Sequence, residues 1–221
     1  FRSRFTAPLG AGYRYAARLD KSGVFIRSGA KIKGKSMRKK RLEIINFVNL
    51  SDEKYRKILE YRNQEYVRTV SNSPEPITVK QHEAYREALK KRDKFFAFLI
   101  ACDGEDYAVI NLKKLDDGSF YLGYYLTDEL YKFEGGGVAV HNCMMYICDR
   151  LKIKLISYDI KPENSRVFRV GQGGEDIAVS GSSEALHHLV RLYGYDDERV
   201  KNSKSAKLFN KIYEIKESDF S

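Results

Sequence analysis

Three adjacent glycines, Gly135, Gly136 and Gly137, stand directly before an apolar stretch of helical period, VAVHNCMMYICDRL. Glycine offers no side-chain contact and loses the most freedom on folding, so such a run marks a turn that needs bare backbone. A helix N-terminus leaves N–H donors unpaired and carries a partial positive charge, and glycines let a phosphate approach them. The flanking segments restrict the fold further. Phe95–Cys102 is an apolar run, YAVINLKKL alternates, and FYLGYYLT is a third strand rich in aromatic residues. DGED and DDGS are the turns between them, the second with an Asp-Gly hairpin signal, which predicts an antiparallel meander. After the helix, Lys154–Ile160 reads as a short buried strand, and strand–helix–strand implies a right-handed crossover.

The rest of the chain fills in around this unit. Leu42–Leu50 has strand-like alternation, and Ser51 caps a helix that carries Tyr55, Ile58, Leu59 and Arg62. A turn-rich loop, SNSPEPIT, precedes a second helix capped by Thr78, with His82, Tyr85 and Leu89 on one face. Downstream, SSEALHHLVRLYG is predicted as a helix, and the stretches around YDDERV and KIYEIKE as final strands. The fold class is α/β, with a mixed, mostly antiparallel central sheet flanked by helices.

Two familiar phosphate loops fail against the glycines. The P-loop spacing G-x-x-x-x-G-K-S/T is absent. The dinucleotide pattern G-x-G-x-x-G meets Val140 where its third glycine belongs, and its strand would have to open a parallel unit.

With 221 residues the chain suits one domain, expected over residues 42–221, after a basic and poorly ordered extension over residues 1–41. Met37 reads as a natural start within that extension. The net charge of +10 is concentrated there, and the segment closes in MRKKR. Such a charge suits a polyanionic small molecule as well as nucleic acid. Nucleic acid is disfavoured, since no zinc-finger, RRM or helix-turn-helix pattern is present. Cys102, Cys143 and Cys148 lack metal-ligand spacing and read as reduced core thiols, so no metal is expected. No apolar run approaches the roughly 20 residues of a membrane span. A cytoplasmic location is expected, with no membrane partner, and a homodimer is left open.

A third loop pattern does fit. Lys132-Phe-Glu-Gly135-Gly136-Gly137 resembles the Gln/Arg-x-x-Gly-x-Gly/Ala pyrophosphate loop of the GNAT superfamily of N-acetyltransferases, with lysine at the first position. Its placement after a meander and before a helix–strand pair agrees. EYRN (Glu60–Asn63) with ITVKQHEAYREAL (Ile77–Leu89) resembles the amino-sugar branch of that superfamily, and also its ribosomal-protein N-terminal branch. The resemblance covers about residues 42–165.

The resemblance implies a GNAT-like sheet, acetyl-CoA as cofactor, and acetyl transfer to a primary amine. That amine would belong to a nucleotide-linked amino sugar, or alternatively to a protein N-terminus. A noncatalytic CoA- or nucleic-acid-binding module stays open. In the superfamily the strand before the loop and the strand after the helix splay apart, and pantetheine pairs in the gap. Tyr124, Tyr125 and Leu126 would supply that edge. Gly135, Gly136, Gly137, Val138 and Ala139 would line the pyrophosphate, and Lys132 would add charge. Asn164 would contact CoA, or merely cap the next turn. Tyr193 is the nearest match to the family's thiolate acid, with core packing as its other reading. His187 is a base candidate, as are His82 and His188. Tyr61, Arg62 and Asn63, together with His82, are expected on the substrate side. Asp128, Glu129 and Glu134 are expected to point away from the phosphates or to face an amine.

Overall fold

The computed structural model describes residues 38–161, 173–182 and 184–216, and its elements fall in one unit that begins at Lys39. The expectations for residues 1–36 and for Asn164 lie outside the described residues. Strand β1 (Lys40–Asn46) runs into a single 3-10 turn, which the Asn46 side chain caps by accepting from the Val48 N–H. Helix α1 (Asp52–Asn63) starts on Ser51 as expected, with Asp52 and Glu53 in the first turn, where carboxylates favour the dipole. A four-residue helix α2 (Glu65–Arg68) follows, then α3 (Val79–Lys90), which opens on a capping box between Thr78 and Gln81.

The meander is present as β2 (Phe95–Cys102), β3 (Glu105–Lys114) and β4 (Phe120–Leu126). Its tight turns place Asp103 at φ 50° with Gly104 at 93°, and Gly118 at 83°. Helix α4 (Gly136–Arg150) and strand β5 (Leu155–Ile160) complete the crossover, since β4 and β5 pair in parallel.

The C-terminal part corrects the sequence reading. The stretch predicted as a helix forms strand β7 (Leu186–Leu192), paired with β5 along its whole length and with β6 (Gly174–Gly181) on its other side. YDDERV contributes a short helix, α5 (Glu198–Lys201), rather than a strand. An amphipathic helix, α6 (Lys204–Ile212), then precedes β8 (Tyr213–Ile215), the strand expected near KIYEIKE. Among the described residues one eight-stranded sheet results, in the order β6-β7-β5-β4-β3-β2-β1-β8. It is antiparallel except at β4·β5 and β1·β8.

Two apolar layers hold the sheet. On one face α4, Phe209 and Tyr213 cover Leu42, Phe98, Ile100, Ala108, Ile110 and Ile156. On the other, Tyr55, Ile58 and Leu89 cover Ala97, Leu99 and Val109. The three cysteines are buried and unbonded. Burial pushes their thiols upward, that of Cys148 to about 12, which leaves no nucleophilic thiolate among them.

Candidate active site

β4 is a central strand, yet none of its seven residues is fully buried, whereas five consecutive residues of neighbouring β3 are. The reason is its partner. β4 and β5 pair only at Phe120↔Ile156 and Tyr121↔Ser157. Beyond this point they run on to Leu126 and Ile160 without pairing each other, so the sheet opens in a V between them. The Thr127 N–H donates to the Tyr107 carbonyl of β3 at 3.0 Å. Because an antiparallel ladder alternates, the backbones of Leu122, Tyr124 and Leu126 face the opening instead. Tyr66 donates its hydroxyl to the Leu126 carbonyl at 2.6 Å, as that direction requires. Tyr124 therefore presents main-chain groups to the gap, while the main chain of Tyr125 faces β3.

The glycine turn lies at the head of this opening. Gly135 caps α4 in the left-handed region, at φ 89°, with no side-chain cap. A Cβ on Gly136 would meet the Tyr131 carbonyl at 2.7 Å and the Leu126 side chain at 2.9 Å. The N–H groups of Val138 and Ala139 both donate to the Gly135 carbonyl, at 3.0 and 3.1 Å. This leaves the N–H groups of Gly135, Gly136 and Gly137 without a backbone acceptor among the described residues. Of the five residues expected to line the pyrophosphate, the three glycines have N–H groups open to a ligand, and those of Val138 and Ala139 are taken within the turn. From beneath, the buried Tyr213 donates its hydroxyl to the Glu134 carbonyl at 3.0 Å and lies 3.1 Å from the Tyr107 hydroxyl. The neighbouring acids are engaged: Asp128 accepts from the Leu130 N–H, Glu134 faces Lys40, and Glu129 pairs with Lys132. Lys132 is exposed beside the turn, its charge shared with Glu129 and the Phe133 ring.

On the sheet face covered by α1 and α3, a polar cluster joins the two strands near the base of the V. Asp159 of β5 has one carboxylate oxygen 2.8 Å from His187 Nδ1 of β7. Its other oxygen accepts from the Tyr121 hydroxyl of β4 and from the Asn72 amide, each at 2.8 Å. Burial works to raise the Asp159 pKa, but the hydrogen bonds from His187, Tyr121 and Asn72 prevail and hold it below the usual carboxylate value. An ionised carboxylate only accepts, so the hydrogen bond puts a proton on His187 Nδ1 and leaves Nε2 on the far side of the ring from Asp159. Across the sheet, the Tyr124 and Tyr158 phenols line the opening; both are raised by burial, Tyr158 to about 12, and stay protonated at neutral pH.

The remaining sequence candidates divide. Arg62 reaches this region, donating to Ser71 Oγ at 2.9 Å and to the Ser73 carbonyl at 3.0 Å on either side of Asn72. Tyr61 instead donates to Asp106, which Lys54 also pairs at 2.7 Å. Asn63 clamps both main-chain groups of Ile77 at 2.8 Å. His82 is buried, stacked on Tyr55 at 4.0 Å, with Nε2 2.9 Å from the Tyr55 carbonyl. The substrate-side expectation for Tyr61, Asn63 and His82 is corrected: Asn63 and His82 bind α1 to α3 and the loop before it, and Tyr61 ties α1 to β3. Tyr193 is corrected as well. It follows the end of β7 that pairs with the start of β5, so it lies at the opposite end of the sheet from the V. There it stacks under Arg199 at 3.6 Å. His188 is buried against Tyr158 and Asp176. Tyr121, Asp159 and Asn72 were missed; the one local signal was a carboxylate inside a short strand expected to be buried, LISYDI.

A seven-residue strand of an eight-stranded sheet parting from its parallel neighbour, with a glycine-led helix at the head of the gap, decides the architecture. The fold is that of the GNAT N-acetyltransferases. No protein-family model matches the chain, and no curated protein matches it in sequence. Solved structures with the GNAT fold do. The N-acetyltransferase PseH of Campylobacter jejuni is 16% identical, with a TM-score of 0.50, over 68% of this chain and 97% of that one. AAC(6')-Ib in complex with ribostamycin and coenzyme A is 12% identical, with a TM-score of 0.56, over 74% and 98%. RimL, a ribosomal alpha-N-protein acetyltransferase in complex with coenzyme A, is 15% identical, with a TM-score of 0.53, over 70% and 96%. Among the described residues no helix is long and apolar enough to cross a membrane, and no group of His, Cys, Asp or Glu could hold a metal.

Proposed function

We propose that the protein is an acetyl-CoA-dependent N-acetyltransferase of the cytoplasm, acting on the primary amine of a nucleotide-linked amino sugar. The observation that carries this reading is the V between β4 and β5 with three glycine N–H donors at its head. Pantetheine amides pair with the Tyr124 main chain as a short added strand. The pyrophosphate takes the N–H groups of Gly135, Gly136 and Gly137 at the positive end of α4. GNAT-fold structures with coenzyme A bound support the same cofactor here. PseH and RimL are the neighbours whose names match the two branches that the sequence resembles.

The acceptor enters from the α1–α3 face. His187 Nε2, oriented by Asp159, takes a proton from the ammonium, and the neutral nitrogen attacks the thioester carbonyl. The C–N bond forms as the C–S bond breaks. His187 passes the first proton to solvent before it takes the nitrogen's second, and the thiolate is protonated from the Tyr124 or Tyr158 phenol, which regains a proton from solvent. Tyr121 and Asn72 keep Asp159 ionised.

Calorimetry with acetyl-CoA tests the cofactor, comparing the wild type with Gly137→Asp. Micromolar binding abolished by the substitution supports the reading, and turnover is then followed as free thiol released with amino-sugar nucleotides against peptide amines. A folded wild type that binds no acetyl-CoA overturns it.

A further inference from the structure

Arg62 and Arg68 are both half-buried beside the acceptor face, and each keeps a nitrogen enclosed in protein with no acceptor: Nη1 of Arg62 and Nε of Arg68. A buried donor without a partner is costly, more so when it is charged. Arg62 directs Nη2 at Ser71 and Ser73, but no carboxylate meets either guanidinium among the described residues. Instead the two cations act on each other: burial, and then the charge of Arg68, lower the Arg62 pKa. Two like charges left together in a low-dielectric cleft call for an anion. The place is specific. Ser71 and Ser73 flank Asn72, which donates to Asp159, so the arginines stand one loop away from the His187–Asp159 pair. The Tyr125 phenol borders the same space, close enough to couple electrostatically to Arg62.

We propose that Arg62 and Arg68 form a subsite for the phosphate or pyrophosphate group of the acceptor, which fixes the acceptor as an anionic amine. This rests on the acetyltransferase reading, and it separates the acceptor classes. A phosphate-bearing amino sugar places its amine at His187 Nε2 and its anion at the arginines. A polycationic amine is repelled by the same pair, and a neutral peptide leaves the pair unmatched. Arginine suits the task because its planar fork matches phosphate oxygens two at a time.

The test is calorimetric titration of UDP, and separately of inorganic pyrophosphate, into protein saturated with CoA, so that the glycine turn is occupied. UDP binds the wild type, and Arg68→Gln weakens it by about tenfold or more, the loss of one charge-assisted hydrogen bond. CoA affinity stays unchanged in that variant. Arg68→Gln also melts no lower than the wild type in anion-free buffer, because it removes a like charge; a purely structural arginine gives a lower melting point. Arg62→Lys keeps the charge but loses the fork, and weakens UDP while leaving CoA alone. Equal UDP affinity in Arg68→Gln and the wild type overturns the proposal, as does a CoA-saturated wild type that binds neither anion. Should CoA itself not bind, the same titrations in Gly137→Asp, where a carboxylate closes the glycine turn, still read the arginines and separate this failure from that of the cofactor assignment.

Discussion

Gly137 distinguishes itself from its two neighbours. Gly135 is required by its left-handed φ, and Gly136 by the Tyr131 carbonyl and Leu126 against it. Gly137 is the second residue of α4, a position that tolerates side chains and favours a carboxylate. Gly137→Asp should therefore leave the melting temperature unchanged or slightly raised while eliminating acetyl-CoA binding, checked by thermal denaturation beside calorimetry. A matching loss of stability would show that the glycine serves the fold. His187→Asn should lower kcat by roughly 100-fold or more, the usual range for a lost general base, with acetyl-CoA affinity intact. Activity near that of the wild type would remove His187 from the chemistry. His187 was among the candidates visible in the sequence, but its orienting partner was not. Asp159 lies 28 positions away and meets it only because β5 and β7 pair in register.

At the level of elements, legibility followed how local the signal was. Caps at Ser51 and Thr78, the Asp-Gly turns and the alternating meander each lie within a few residues, and all are found in place. β7 was misread because Leu186, Leu189 and Val190 also satisfy helical spacing. Pairing with β5 and β6 on both sides overrides that pattern and buries His188, Val190 and Leu192 at period two instead. α6 was missed because its apolar face, Ala206 and Phe209, is short, and its meaning depends on packing against α4, where Asn142 meets Ser205 at 3.0 Å. β8 has a role beyond the sheet, since Tyr213 holds the carbonyl just before the glycines. Tyr213→Phe removes that donor and leaves the Tyr107 hydroxyl without its partner. The expected result is destabilisation by about 1 kcal/mol, a fall of roughly 2–4 °C in Tm for a chain of this size, with acetyl-CoA affinity several-fold weaker and kcat nearly unchanged. Unaltered affinity would leave Tyr213 with a packing role alone.

Over the whole molecule, acid stability is set partly by buried imidazoles. Burial lowers the pKa of His141 to about 4 and also lowers that of His82. His141 is neutral in the folded protein near pH 6, and His82 holds a proton less readily folded than unfolded, while the unfolded chain takes up protons around 6.5. The unfolded state then binds more protons, so stability falls as the pH drops from about 6.5 toward 4. The His141 contribution is at most about 3 kcal/mol. Asp159 acts lower: its depressed pKa gives stability that is present above the unfolded carboxylate value and is lost as pH falls through the folded one. Urea titrations at pH 7 and pH 4.5 should show a smaller loss in His141→Leu than in the wild type, and an equal loss would sink the assignment. The net charge of +10 acts on encounter instead. The kcat/KM for acetyl-CoA should fall as ionic strength rises, with kcat constant, since salt screens steering of a polyanion.

Most sheets carry their unpaired edges at the margins, here β6 and β8. This one has a third edge in its interior, along Leu122–Leu126, where β5 turns away. An outer edge invites any chain that can lie flat beside it, which is how sheet proteins aggregate. The inner edge is closed at its base by the pairing of Tyr121 with Ser157, so an added strand has only Leu122–Leu126 to pair with. An unpaired edge is thus kept inside the sheet, short and bounded at one end, rather than laid along an outer margin where a second copy could add to it.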